Sequence, residues 1–317
     1  MISTGALRDV TSQFIAKCLA SADGRSRIEP VLSLLGFDDC TVQFTASREA
    51  KRPALESLIR TSGGVRSLGI AEDQIPRFVS GIEEFRVLPT NKTSATKNDN
   101  AMLQFLSELS HSVNADLADV VWFLKKAGIA NGIAQVLATN AWVAVDALSN
   151  GQLLLLSMVA RMAAVVEANS LVVIDEPETG LHPSWQSDFI PLLKKTLPET
   201  LGCHFIIATH SPHIVSDGSD VLVPGAKWGT FEQFEDPFEG RSVENLLYRV
   251  FETRVSGNKA VDDDLVRVLR FVSKVEPSPS RSTVLESVNR LQRVSGPDTT
   301  ELNEMLTQAE RILGDLR

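Results

Sequence analysis

The sequence predicts an α/β fold built on a parallel sheet, with a helical insertion before the sheet and a helical region after it. Two short apolar runs, LVVID at 171–175 and CHFIIATH at 203–210, each stop abruptly at polar residues. PSWQSDFIPLLKKTL lies between them with the spacing of a helix, and SNGQ at 149–152 opens a strongly apolar helix to about Glu167. Strands that are apolar throughout, rather than alternating, belong to sheets covered on both faces by crossover helices.

Residues 4–21 read as an amphipathic helix, and CTVQFTA at 40–46 alternates as a strand. The polar run LPTNKTSATKNDN at 88–100 reads as a loop, followed by two or three helices up to about residue 147, punctuated by Gly128 and Gly132. The helix that starts at Pro183 should bend at Pro191, which lacks a backbone donor. SPHIVSDG at 211–218 reads as a short helix with a glycine stop, and DVLVP at 220–224 as a third strand. Helices are expected over 241–252, 262–274, 281–294 and 299–316, with SKVEPSPSRS as a connector. Three regions result: 1–147, mainly helical with a short strand segment; 148–240, the sheet-bearing core; and 241–317, helical.

A net charge of -9 excludes the wholly basic surface of a general nucleic-acid binder. A local basic run remains at 47–66, where Arg48, Lys51, Arg52, Arg60 and Arg66 outnumber Glu49 and Glu56; a solvated helix face explains it as well. Cys18, Cys40 and Cys203 are odd in number and widely spaced, which fits packing residues in a reducing compartment rather than disulfides or a zinc site. LLLLSMVARMAAVV at 153–166 is too short to span a bilayer and carries Arg161, and MISTGALRDV lacks a signal pattern. A cytoplasmic protein without membrane association is expected.

The chemistry-bearing residues gather where the apolar runs end. Asp175 and Glu176 close the first strand and His210 the second, and in parallel sheets the carboxyl ends of strands form the usual ligand crevice. Adjacent strands would set His210 beside Glu176. Neighbouring acids there suit two jobs: one holds a hydrated cation and the other polarises a water. LSNGQ at 148–152 adds a hydroxyl, a glycine and free N–H groups at a helix start, a favourable place for a phosphate. Taken singly, the acid pair also reads as a solvated turn, the histidine as a cap neighbour and Ser149 as an N-cap.

Taken together and in this order, these motifs resemble the C-terminal half of the ABC-type ATPase fold, a P-loop NTPase. LSNGQ looks like the signature motif, LVVIDE like the Walker B strand, PETGLHP like the D-loop and ATHSPHI like the histidine switch. The DEPE, GLHP and THSP version is similar to AAA-family ATPases of the overcoming-lysogenisation-defect and SMC-like group, including those of Septu and retron anti-phage systems. The resemblance covers about 145–225, and SVENLLYRVF and DDDLVRVLRFVS resemble the helical tails of such ATPases. It implies ATP and Mg2+ as cofactors. Asp175 would help hold Mg2+, Glu176 would orient or deprotonate the attacking water, and His210 would contact the transferred phosphate. Ser149, Asn150, Gly151 and Gln152 would meet the nucleotide of a second subunit, through the Ser149 hydroxyl and the Gly151 backbone. It further implies a dimer or higher oligomer and an effector partner, such as a nuclease or another defence protein, with nucleic acid as a further partner.

The sequence departs from this family in one respect. It has no glycine-rich loop ending in Gly-Lys-Ser/Thr: TSGGVRSLG at 61–69 lacks the lysine, GNKA at 257–260 the hydroxyl, and Lys92-Thr93 the preceding glycines. Either the sequence is a portion of a longer ATPase, which the usable remaining motifs favour, or the chain is a member that no longer binds ATP itself. Three other functions remain: a regulatory, partner-binding fragment; a cytosolic ATPase subunit of a membrane transporter; and a metallo-hydrolase using Asp175, Glu176, Glu178, His182 and His210, which leaves LSNGQ unexplained.

Overall fold

The computed structural model describes residues 4–46, 52–61, 68–88, 95–225, 227–234, 243–251, 259–275, 279–295 and 299–315. Parts of the basic run, of the 88–100 loop, of TSGGVRSLG and of GNKA, and all of Lys92-Thr93, lie outside the described residues. The chain forms two compact units interleaved in sequence. The first comprises Met1–Ile174, Thr179–His182 and Pro191–Ile207, and the second Asp175–Glu178, Pro183–Ile190 and Ala208–Arg317.

The first unit opens with α1 (Thr4–Leu19) and α2 (Ala22–Leu34), followed by β1 (Asp39–Ala46), α3 (Arg52–Thr61), α4 (Ile75–Val87), α5 (Ala95–Ser112) and α6 (Leu117–Lys126). The predicted loop therefore ends early, because α5 already begins at Ala95. Arg60 of the basic run lies 3.9 Å from Glu72, a solvated surface pair. Ser21 caps α2, its hydroxyl accepting from the Gly24 N–H at 3.0 Å, and Asp116 caps α6 through the Ala118 N–H at 2.8 Å.

Of the two or three helices expected up to about residue 147, α5 and α6 are present, and the stretch after Gly128 is instead a β-hairpin, β2 (Ala130–Ala138) and β3 (Ala141–Ala144). Its turn, Thr139-Asn140, has φ of 47° and 68°. Positive φ at both central residues is the hairpin geometry that matches strand twist. β2 also pairs antiparallel with β1, setting Cys40 against Val136, Val42 against Ala134 and Phe44 against Gly132. Gly132 is a packing glycine rather than a helix break: a Cβ there would lie 2.8 Å from the Phe44 ring. The alanine-rich run is ambiguous locally, and non-local pairing with β1 decides it. α1 lies on this sheet, where buried Ser12 accepts a hydrogen bond from the Ala134 N–H at 3.0 Å. Cys18 and Cys40 are buried in the same core as free thiols, and burial pushes both up to about 12.

α7 (Asn150–Val165) packs its buried face, Leu153, Leu156, Val159, Ala160 and Ala163, within this unit. The Cys18 thiol donates to the Ala160 carbonyl at 3.4 Å, and Arg27 donates to Val166 O at 2.8 Å, just past the helix end. β4 (Leu171–Asp175) follows, then α8 (Pro183–Ser187) and α9 (Phe189–Thr196), the expected helix broken at Asp188, just before Pro191. β5 (His204–Ala208), α10 (Pro212–Val215) and β6 (Leu222–Pro224) come next. The third strand does not join the parallel pair: β6 pairs antiparallel with β7 (Phe231–Gln233).

The second unit ends in α11 (Val243–Arg249), α12 (Lys259–Val272), α13 (Arg281–Arg293) and α14 (Thr300–Asp315), close to the expected helices. They share a core of Tyr248, Val268, Val284, Val288, Leu291, Leu306 and Ala309. Inside it sits Asp264, 1% exposed. Its carboxylate accepts from Tyr248 Oη at 3.1 Å, Ser287 Oγ at 2.8 Å, Arg267 at 2.8 Å and, in two parallel bonds, Arg290 at 2.9 and 3.0 Å. A buried carboxylate is tolerable only with this degree of satisfaction.

Burial pushes the Asp264 carboxyl up, but the bonds from Arg290, Ser287 and Tyr248 outweigh it and hold the group below the ordinary carboxylate range. A depressed folded-state value contributes stability that is present above the unfolded value of about 3.9 and is lost as pH falls through the folded one. Asp264→Asn should cost about 3–5 kcal/mol at neutral pH by removing the buried carboxylate on which Arg290 and Arg267 both converge. The gap to the parent protein should narrow at acid pH, measured by urea denaturation across pH 2–7; a gap independent of pH would contradict the network.

Candidate active site at the ends of the parallel strands

β4 and β5 are hydrogen-bonded neighbours. The His204 N–H donates to Ser170 O at 2.9 Å near their start and the Glu176 N–H to Ala208 O at 2.8 Å at their end, so the strands run the same way. Their carboxyl ends therefore stop side by side. Glu176 Oε1 lies 3.6 Å from His210 Nε2, an ion-pair distance when the imidazole is protonated, and the two side chains are 55% and 82% exposed. The expected approach of His210 to Glu176 is present, and both groups face solvent, where a substrate can reach them.

Glu176 has φ of +43°, a left-handed backbone that a side chain with a Cβ rarely adopts. Such strain costs on the order of 1–3 kcal/mol and persists only where the surroundings over-determine it. Here the strand bond to Ala208 and buried Pro177 on the other side fix the residue. The turn continues to Gly180, whose φ is +80° and where a Cβ would meet Leu154 of α7 at 2.9 Å.

The segments after the two strands are joined by side chains. Glu178 Oε1 accepts from the His210 N–H at 2.6 Å and Glu178 Oε2 from the Thr209 hydroxyl at 2.8 Å. The Ser211 N–H donates to Thr209 Oγ1 at 3.0 Å, Ser211 Oγ donates to Gln186 Oε1 at 2.7 Å, and Ser187 Oγ is 3.0 Å from His213 Nδ1. Sequence reasoning missed this network. The signal for Glu178 is its place one residue beyond rigid Pro177, two after Glu176, where a second acid needs a partner.

Ser149 and Gln152 form a capping box at the start of α7: the Gln152 N–H donates to Ser149 Oγ at 3.3 Å, and the Ser149 N–H to Gln152 Oε1 at 3.0 Å. Ser149 and Asn150 are exposed, Gly151 and Gln152 half-buried. This helix start belongs to the first compact unit, whereas Asp175, Glu176, Glu178 and His210 belong to the second. Among the described residues no three His, Cys, Asp or Glu side chains come together as a metal site. Glu178 is turned to the His210 N–H and the Thr209 hydroxyl. Asp175, an exposed carboxylate at the strand end, fits a hydrated Mg2+ held chiefly by phosphates and water.

The strands are not covered on both faces as their apolarity predicts. Leu171, Val173 and Ile206 are 62%, 68% and 51% exposed, and of β4 only Ile174 is buried. These alternate positions lie on one side of the strands. A cavity of about 220 Å3 in the second unit is lined by Phe234, Arg249, Glu286, Asn289, Arg290 and Arg293, none of them in the acid and histidine cluster.

Relief of the Glu176 strain is measurable. Glu176→Gly should be about 1 kcal/mol more stable than Glu176→Ala in urea denaturation, because only glycine adopts the left-handed backbone without penalty. The reverse order would show that no strain is stored there.

Comparison with known proteins matches residues 71–216 to the family described as "AAA domain, putative AbiEii toxin, Type IV TA system". Among curated proteins the chain is 37% identical over 86 residues to "Retron Ec83 probable ATPase" of Escherichia coli, covering 24% of this chain and 15% of that protein. It is 40% identical over 70 residues to "Protein ea59" of Escherichia phage lambda, covering 22% and 13%. It is 33% identical over 109 residues to "Septu protein PtuA" of Bacillus thuringiensis, covering 28% and 25%. The matches thus span between 13% and 25% of the lengths of these relatives. The family match reaches back from the ends of β4 and β5 into α4–α6 and the antiparallel sheet. Residues 71–216, just under half of the chain, are thus similar to an AAA domain.

Proposed function

We propose that the chain contributes half of a composite ATP-hydrolysing site and drives or gates an effector of an anti-phage defence system. The observation that carries this reading is the pairing of Glu176 and His210 at the ends of adjacent parallel strands, with Glu176 held in a strained backbone. The retron and Septu relatives support the defence setting over transport. Glu176 accepts a proton from, or orients, the attacking water. His210, 3.6 Å away, donates toward charge that builds on the transferred phosphoryl group. Positioning and charge neutralisation are most of what phosphoryl transfer requires. When bound, Mg2+ supplies further charge neutralisation, and Asp175 is the carboxylate that would hold it.

Asn150 and Gly151 are the first residues of α7, and the capping box leaves their N–H groups for an anion. In this reading they meet the nucleotide of a second subunit. The phosphate-binding loop comes from a segment or subunit not contained in these 317 residues. The exposed apolar side of β4 and β5 supports this assignment, since parallel strands are ordinarily covered on both faces. The same features favour a second reading, a partner-binding module that does not turn over ATP.

Titration calorimetry of the isolated chain with Mg-ATP should show weak or no binding; tight one-to-one binding would show that a phosphate loop is not needed. In an assembly that supplies the loop, Glu176→Gln should keep nucleotide binding and lower turnover by about 10²- to 10⁴-fold. Ser149→Arg should keep the fold, since a surface N-cap contributes only about 0.5–2 kcal/mol, and should abolish ATP-induced dimerisation. Absence of turnover in every parent assembly selects the partner-binding reading.

A further inference from the structure

We propose that Glu178 is the positioning residue for His210: its carboxylate fixes the backbone on which the imidazole is carried. The proposal deepens the ATPase reading and rests on it only for what His210 touches.

The His210 side chain is 82% exposed, so packing cannot hold it in place. Its nearest described ionic partner is Glu176 at 3.6 Å, a long contact in a solvated setting where ion pairs contribute little. The backbone is another matter. Glu178 takes the His210 N–H on one carboxylate oxygen at 2.6 Å and the Thr209 hydroxyl on the other at 2.8 Å. Thr209 Oγ1 in turn accepts the Ser211 N–H at 3.0 Å. One carboxylate therefore fixes three consecutive residues directly or through a single hydroxyl. Bonds to an ionised acceptor are roughly twice as strong as neutral ones.

The anchor belongs to the same segment as Glu176, separated from it only by buried Pro177, whose ring fixes φ. The water-orienting acid and the anchor of the phosphate-contacting histidine are thus set by one short rigid stretch. Gln186 to Ser211 and Ser187 to His213 tie the following helix to the same loop within the second unit.

Two measurements test this. Amide hydrogen exchange by NMR on the full chain compares the parent with Glu178→Ala and Glu178→Gln. The His210 and Ser211 amides should exchange faster by on the order of tenfold to a hundredfold in Glu178→Ala, and by less in Glu178→Gln, which keeps one acceptor oxygen. Protection in α13 and α14 should stay unchanged. Should Glu178→Ala fail to fold, Glu178→Gln alone decides. Unchanged exchange at His210 overturns the proposal.

The second measurement is turnover in the loop-supplying assembly. Glu178→Ala should lower kcat with the KM for ATP unchanged, and should add nothing further in a His210→Ala background. A full second loss in that background would mean that Glu178 acts independently of His210, and would also overturn the proposal. If the parent assembly has no turnover, the ATPase reading fails while amide exchange still decides the anchor.

Discussion

The hydrogen bond from the Glu176 N–H to Ala208 O is the constraint on which the candidate site depends. It is the last rung between two strands that run the same way, and it decides where both of them stop. One rung fewer would separate Glu176 from His210, and one more would draw the acid into the ladder. At the observed register the two side chains leave the strand ends together, 3.6 Å apart and open to solvent. The left-handed backbone at Glu176 is the cost of turning the chain immediately after that rung.

Around this point the structure divides its labour between rigidity and openness. Glu178, Thr209, Gln186 and Ser211 join the segments beyond the two strands with bonds between 2.6 and 3.0 Å. Farther along, Asp264 does the same for the C-terminal helices, drawing Tyr248, Ser287, Arg267 and Arg290 onto one buried carboxylate. In both places an acid inside or beside the fold accepts from several donors and so excludes alternative packings. The strands themselves remain open on one side, where Leu171, Val173 and Ile206 meet solvent. Apolar surface of this kind on parallel strands is what a covering element removes from water.

Much of this was legible in the sequence, and the failures share a cause. The apolar runs, their abrupt polar ends and the cap at Ser149 are local signals, and they placed α7, β4, β5 and the Glu176 and His210 pair. The C-terminal helices were equally legible, because their apolar residues recur with helical spacing. The β2 and β3 hairpin was not, since an alanine-rich stretch fits a helix until β1, some 90 residues earlier in the chain, supplies a partner. Asp264 was hidden in a run of three aspartates that reads as solvated charge; its partners lie on helices folded back against it. Apolarity of β4 and β5 correctly indicated strands but not occupancy, because a residue type reports what a face suits and not what lies on it. Glu178 was visible as an acid, but its network was not, because its partners are backbone and hydroxyl groups that carry no signature of their own.

The two halves of the proposed chemistry have opposite needs, and the chain meets them in different places. The start of α7 presents N–H donors whose usual acceptors, four residues back, do not exist at a helix start. The ends of β4 and β5 present carboxylates and an imidazole, which repel or await phosphate according to the cation that accompanies it. The capping box takes the Ser149 and Gln152 N–H groups, so the helix is stable before any anion arrives. Glu178 is likewise satisfied within the chain, by the Thr209 hydroxyl and the His210 N–H. Each half is held by hydrogen bonds within the chain. In the composite site proposed, parts already ordered would leave binding energy to bring subunits together rather than to fold them.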